Sequence, residues 1–272
     1  MGLLANGLVE RGHQVSLFAS GDSETAATLH AVHPHSLRTD PSVAVPFVYE
    51  CASVLDCARE AKSFDVIHNH AGLLPMFLAE LLPTPMLTTL HGPLPAGSEL
   101  AWRHYDGFYN TISRAAKQGL PERGYVGAIH NGVDVACFPF RAKKDDYLLF
   151  LGRISPEKGV HHAIDVARRL GRRLIVAGKV DRVDRTYFSR SIKPRIDGGL
   201  ISFIGEADAQ RKRTLLASAA GLLNPITWSE PFGLVMVEAM ACWTPVIVFN
   251  RGSAPEVVIH GETGYVVGDL EG

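Results

Sequence analysis

The chain has 272 residues, 46 % of them hydrophobic and 20 % charged, with a formal net charge of −1. That length accommodates two ordinary domains with substantial cores. The near-neutral balance, without a long Lys/Arg stripe, excludes nucleic acid as the main partner. The four cysteines, Cys51, Cys57, Cys137 and Cys242, follow no disulfide or metal spacing, so a reducing, cytoplasmic setting is the simpler expectation. No apolar run reaches transmembrane length, and the start Met-Gly-Leu-Leu-Ala-Asn lacks the charged opening and long apolar core of a signal peptide. Peripheral membrane contact is left open.

In chain order, residues 3–11 read as a helix leading into a strand at 14–19. Further strands are expected at 65–69, 85–90, 107–112, 127–130, 147–152, 173–177, 200–204, 221–225, 245–249 and 264–267. Helical patterns fall between them at 54–63, 73–82, 157–170, 210–219 and 232–241. Short, continuously apolar strands alternating with helices predict an α/β fold with parallel sheets covered on both faces. The pattern breaks at Phe-Pro-Phe-Arg-Ala-Lys-Lys-Asp-Asp before a fresh strand. We therefore expect two Rossmann-like domains, 1–138 and 139–272, facing across a cleft. The beginning is unusual, because no strand precedes the first helix, whereas the first strand of a doubly wound sheet is central.

Several positions could carry chemistry. His68 and His70, in Asp-Val-Ile-His-Asn-His, suggest a metal only weakly, since no third ligand stands at a recognisable spacing. His91 follows a strand, on the edge where open α/β sheets bind ligands, although an isolated histidine there is often structural. Asn131-Gly-Val-Asp134 is first of all a turn signal. In Gly-Arg153-Ile-Ser155-Pro-Glu-Lys158-Gly, Ser155 and Pro156 mark a helix start. Lys158 then lies in a first turn, where the dipole disfavours a cation unless an anion binds. A phosphate neutralised by Arg153 and Lys158 resolves the conflict; an exposed lysine and an arginine salt bridge are the plainer alternative. Ser253-Ala-Pro-Glu256 matches a capping box, with Gly252 keeping a loop close to a ligand.

The most informative stretch is Ser229-Glu230-Pro-Phe232-Gly233-Leu234-Val-Met-Val-Glu238-Ala-Met-Ala-Cys242. Its apolar helix should be buried, so Glu238 needs a partner or a ligand. Glu230 precedes the helix N-terminus, where free amides and the dipole collect anions. Counted from the expected helix start at 232, at ~1.5 Å per residue, Glu238 lies roughly 9 Å further along. That spacing suits a sugar nucleotide, with hydroxyls at Glu230, phosphate at the amides and ribose at Glu238. A buried glutamate bonded to lysine or backbone is the alternative.

These motifs, in this order and over nearly the whole chain, resemble retaining glycosyltransferases of the GT-B fold, family 4. Arg-Gly-His-Gln-Val-Ser-Leu-Phe-Ala-Ser-Gly-Asp-Ser and His91-Gly in the first half resemble the same family. The resemblance implies a donor domain in which Glu230 holds sugar hydroxyls and Glu238 the ribose. It implies further that Arg153, Lys158 and the amides of Phe232, Gly233 and Leu234 hold the pyrophosphate, and that His91 lies near the reacting carbon. The expected reaction moves a sugar from a nucleoside diphosphate (UDP-glucose first, GDP-mannose second) to an unknown acceptor, with retention of configuration. A diphosphate is already a stable leaving group, so cations and a helix N-terminus suffice; no metal or cofactor is expected, and there is no Asp-x-Asp motif. Family members also carry an opening strand with a glycine-rich loop before the position of Met1 and closing helices after Gly272, so an incomplete first domain is expected. An inactive or incomplete sugar-nucleotide-binding module is the second reading; an epimerase or phosphorylase of the same fold is a third. Trp243 stands where the family has glycine, at a position just past a helix that favours positive φ.

Overall fold

The computed structural model describes residues 1–37, 40–95 and 97–271. Gly272, the last residue of the second expected domain, lies outside the described residues. The chain forms two compact units, residues 1–111 with 119–129 and residues 112–118 with 130 onward.

In the first unit, α1 (Gly2–Glu10) leads to β1 (Ser16–Phe18), β2 (Thr28–His30), α2 (Pro46–Arg59), β3 (Ile67–Asn69), α3 (Leu73–Met76), β4 (Met86–Leu90), α4 (Glu99–His104), β5 (Phe108–Thr111) and β6 (Tyr125–Ala128). Its strands form two parallel sheets, β1-β2 and β3-β4-β5-β6. Three expectations change here. Helix α2 begins well before residue 54, because Pro46 takes the first helical position, where a missing N–H costs nothing. The expected helix 73–82 is only α3 followed by a 3₁₀ turn at Ala79–Leu81, and Leu82 is extended ahead of Pro83. Strand β2 and helix α4 were not expected; both are short and lack a clear apolar period.

The second unit contains β7 (Leu148–Leu151), α5 (Val160–Leu170), β8 (Leu174–Ala177), α6 (Arg185–Tyr187), β9 (Ile201–Phe203), α7 (Ala209–Ser218), β10 (Gly221–Asn224), α8 (Leu234–Ala241), β11 (Val246–Phe249), α9 (Ala254–Val257) and β12 (Gly264–Val267). Its sheet is wholly parallel, in the order β12-β11-β10-β7-β8-β9. Successive side chains of a strand point to opposite faces, so one apolar run feeds two cores. Leu149 joins Leu216, Ile226, Met236 and Val248 on one face. Leu148 and Phe150 join Ile164, Val176 and Ile201 on the other. The chain starts at β7, runs outward to β9, then returns to β10 and runs the opposite way. The C-terminal ends of β7 and β10 therefore frame a topological switch point, the place where open α/β sheets bind ligands.

Helix ends in this unit are tied down with care. The last four carbonyls of α7 accept hydrogen bonds from outside the helix. Tyr147 Oη donates to Leu215 (2.8 Å), Thr244 Oγ1 to Leu216 (2.6 Å), Lys144 Nζ to Ala217 (2.8 Å) and the Asp145 amide to Ser218 (2.7 Å). Lys144 also donates to the Cys242 carbonyl (2.9 Å) at the end of α8, so one ammonium serves two negative dipole ends. Burial lowers its pKa below the ordinary lysine value.

Helix α8 ends in a Schellman motif: the Trp243 amide donates to Met240 (2.9 Å) and the Thr244 amide to Ala239 (2.9 Å). This closure requires a left-handed residue, and Trp243 has φ +56°. The indole is 74 % exposed and touches Phe140 at 5.4 Å between ring centroids. A non-glycine residue in this region costs roughly 1–2 kcal/mol, against a ring contact worth about 0.5–1 kcal/mol. Trp243→Gly should therefore raise Tm by about 2 °C in a thermal melt; an unchanged or lower Tm would show that the Phe140 contact outweighs the backbone strain.

Candidate functional site

Three loops of the second unit converge at the switch point. The loop after β7 does not enter one continuous helix, as the sequence suggested. Residues Pro156–Lys158 form a 3₁₀ turn, Gly159 turns left-handed at φ +73°, and α5 starts at Val160. Ser155 precedes the turn, but its hydroxyl makes no capping bond. Gly159 lies so close to the loop after β10 that a Cβ would collide with the Pro225 carbonyl. The Thr227 amide donates to the Glu157 carbonyl (2.9 Å), joining the two loops. Lys158 is thereby delivered to Glu230, and its Nζ donates to Glu230 Oε2.

Glu230 is only 8 % exposed. Its Oε2 also accepts the Trp228 indole N–H (2.8 Å), and Lys158 Nζ lies 5.1 Å from the centre of the indole ring. The loop after β11 supports the Glu230 backbone from beneath. The Ser253 amide donates to the Glu230 carbonyl (2.9 Å), and Gly252, at φ +54°, leaves no room for a Cβ against Glu230 N and O. Gly252 thus keeps its loop close to Glu230 itself.

Gly233 precedes α8 in a left-handed conformation, φ +77°. Among the described residues, the amides of Phe232, Gly233 and Leu234 donate to no protein acceptor. Phe232 is buried against His130, with ring centroids 5.4 Å apart. Helix α8 is less enclosed than its composition predicts. Met236 and Ala239 are buried, but Leu234 is exposed. Glu238, one turn along, accepts a hydrogen bond from Lys212 Nζ of α7 (2.5 Å). Each glutamate is therefore paired with a lysine, the arrangement that the plainer reading of the sequence described.

Arg153 turns to a different set of partners. Its guanidinium bonds Glu157 and lies 4.0 Å from Asp181 and 3.9 Å from Asp184. Arg153 and Lys158, expected to act together on one phosphate, are thus engaged by different carboxylates.

Glu256 does not complete a capping box with Ser253, whose side chain makes no cap bond. Its carboxylate instead accepts the amides of Arg114 (2.8 Å) and Ala115 (2.7 Å), where a 3₁₀ turn at Ala115–Lys117 begins and presents free donors. Asp134 performs the expected turn role, accepting the Ala136 amide (3.1 Å). Trp228 and Lys212 were missed in the sequence. Nothing in their spacing marks them, because each reaches its glutamate only through the packing of the loop or of α7 on α8.

In the first unit, His68 and His70 at the end of β3 meet His91 after β4. His70 Nδ1 and His91 Nε2 share a hydrogen bond (2.9 Å), and His68 Nε2 bonds Thr89 Oγ1 (2.7 Å), which in turn donates to Asn110 (2.7 Å). Burial, followed by repulsion from His68 and His91, lowers the His70 pKa to about 3; burial also lowers His68 and His91. Among the described residues no group of three or more His, Cys, Asp or Glu side chains is arranged to hold a metal ion. No described helix is long and apolar enough to cross a membrane.

Comparison with known proteins finds two family models in succession along the chain. Residues 138–269 match the family model of glycosyl transferases group 1, and residues 2–136 match that of glycosyltransferase family 4. The chain belongs to the family-4-like glycosyltransferases of GT-B fold. It is 31 % identical to a glycogen synthase of Mycobacterium tuberculosis over 74 % of its own length and 55 % of the synthase, so it spans about half of that relative. It is 29 % identical to the phosphatidyl-myo-inositol mannosyltransferase of the same species, over 97 % of its length and 76 % of the relative. Among solved structures, AviGT4, a glycosyltransferase involved in avilamycin A biosynthesis, aligns at TM-score 0.70 and 28 % identity over 97 % of this chain and 73 % of that one. Anabaena HepE in complex with UDP-glucose aligns at TM-score 0.71 and 20 % identity over 99 % of this chain and 82 % of that one, a likeness of fold.

The depressed His70 pKa gives a pH test. Its folded pKa of about 3 lies below the unfolded value of ~6.5, so the unfolded chain takes up the proton first as pH falls. The contribution of the neutral ring is complete above about pH 6.5 and drains away towards pH 3. Tm should fall as pH is lowered from 7.5 to 5, and His70→Gln should flatten that slope; equal slopes in both proteins would contradict the assignment.

Proposed function

We propose that this chain carries the donor site of a retaining, metal-independent glycosyltransferase that moves a hexose from a nucleoside diphosphate to an acceptor. UDP-glucose is the favoured donor and GDP-mannose the second. The observation that carries the reading is the Glu230 loop at the switch point. A nearly buried carboxylate faces a lysine there, directly ahead of the free amides of Phe232, Gly233 and Leu234. In this reading the amides and the positive end of α8 receive the diphosphate, Lys158 moves onto it, and Arg153 adds a second cation. Charge growing on the leaving phosphate is met by groups already in place, which is how preorganised sites lower a barrier. Glu230 takes hydroxyls of the sugar and Glu238 takes the ribose diol. His91 keeps the role that the family resemblance implies, near the reacting carbon. Arg153, Lys158 and the amides of Phe232, Gly233 and Leu234 provide cations and donors for the work that a divalent metal would otherwise do. HepE has been crystallised with UDP and glucose, which supports a uridine nucleotide here.

A sugar-nucleotide-binding module without turnover is the second reading. Product formation from a labelled donor separates the two. The binding site itself is tested by titrating the chain with UDP, UDP-glucose, GDP and GDP-mannose. Glu238→Gln should weaken the preferred nucleotide about tenfold, the size expected for a lost charge-assisted hydrogen bond. Unaltered affinity in a folded variant would remove the ribose from Glu238.

A further inference from the structure

We propose that Trp228 is the positioning residue of the sugar-binding carboxylate, turning Glu230 so that one oxygen is reserved for a donor hydroxyl. The proposal rests on the reading of Glu230 given above and names the residue that makes it work.

The geometry is specific. Glu230 Oε2 takes both protein donors, the Trp228 indole N–H at 2.8 Å and Lys158 Nζ. Among the described residues, Oε1 receives no hydrogen bond from the protein. A carboxylate has about four lone-pair directions, so the free oxygen retains its full accepting capacity in a nearly buried setting. The Glu230 backbone is itself pinned, by the Ser253 amide and by the close approach of Gly252. The indole packs against the core that includes Ile226 and Met236, so its N–H is not free to wander. Side chain and main chain are both fixed, and Oε1 alone is left to face a ligand.

Trp228 also has a second effect. Lys158 lies 5.1 Å from the indole centre, within reach of a cation–π attraction. When a diphosphate arrives, Lys158 can leave Glu230 for the phosphate. A buried carboxylate stripped of its only donor would be costly. The indole N–H stays in place, so Glu230 remains hydrogen-bonded and oriented while its lysine is shared. The sugar and the phosphate can then be held at the same time by neighbouring groups.

The test compares binding of UDP with UDP-glucose, or of GDP with GDP-mannose, using whichever pair the full chain binds more tightly. Trp228→Phe keeps an aromatic ring on the core and removes the N–H together with the pyrrole part of the indole. It should leave the Kd for the nucleoside diphosphate within twofold, while the tighter binding conferred by the sugar falls about tenfold. Glu230→Gln should lower the same ratio. A merely structural role for Trp228 would weaken both ligands equally, and that result would overturn the proposal. If Glu230→Gln lowers the ratio and Trp228→Phe does not, the positioning role is wrong and the function reading stands. If neither substitution changes the ratio, the function reading fails and takes this one with it. Should Trp228→Phe fold poorly, the double variant Trp102→Phe with Trp243→Phe leaves Trp228 as the sole tryptophan of the three. Its emission should then change more with the nucleotide sugar than with the nucleoside diphosphate, and identical responses would overturn the proposal.

Discussion

A carboxylate held almost out of water is the constraint around which the second unit is arranged. Placing Glu230 at 8 % exposure is costly unless its charge is matched, and removing one partner of such a pair typically costs about 3–5 kcal/mol. The match is made by Lys158 and the Trp228 N–H, each carried on the loops that the sheet brings together. Demands on the backbone follow from it. Gly159 must let the Lys158 turn approach Pro225, and Gly252 must let the loop after β11 pass beneath Glu230. Two glycines with left-handed φ and no space for a Cβ are thus consequences of one charge that had to be placed.

The parallel sheet supplies the frame. Because the chain runs outward from β7 to β9 and then returns to β10, neighbouring loops diverge at the middle of the sheet. The gap between them is where a ligand can lie against loop backbone. The tethering of α7 and α8 at their C-terminal ends, with Lys144 reaching both, holds that frame rigid behind the site. Lys212 and Glu238 lie on those same two helices. A rigid support of this kind is what a preorganised site requires.

The pairing of both glutamates with lysines has a simple physical sense. A lysine beside each carboxylate offsets the cost of burying bare charge. In the first unit burial opposes protonation of the His68, His70 and His91 rings, and repulsion from neighbouring rings adds to it at His68 and His70.

Read alone, the amino-acid sequence determined the α/β class, most strands to within a residue or two, the family, and the glutamate-bearing stretch of α8. These are properties of local pattern: contiguous apolar runs, a glycine ahead of a helix, and a charge set in an apolar helix. The left-handed Trp243 was legible for the same reason, because a helix terminus makes its own local demand on φ. Tertiary structure alone decided who partners whom. Trp228 and Lys212 sit beside their glutamates, Glu256 binds amides of residues 114 and 115 instead of its own helix, and Arg153 turns to Asp181 and Asp184. Such pairings join residues far apart in the chain, or side chains aimed by packing, and no periodicity records where a folded loop will point a side chain.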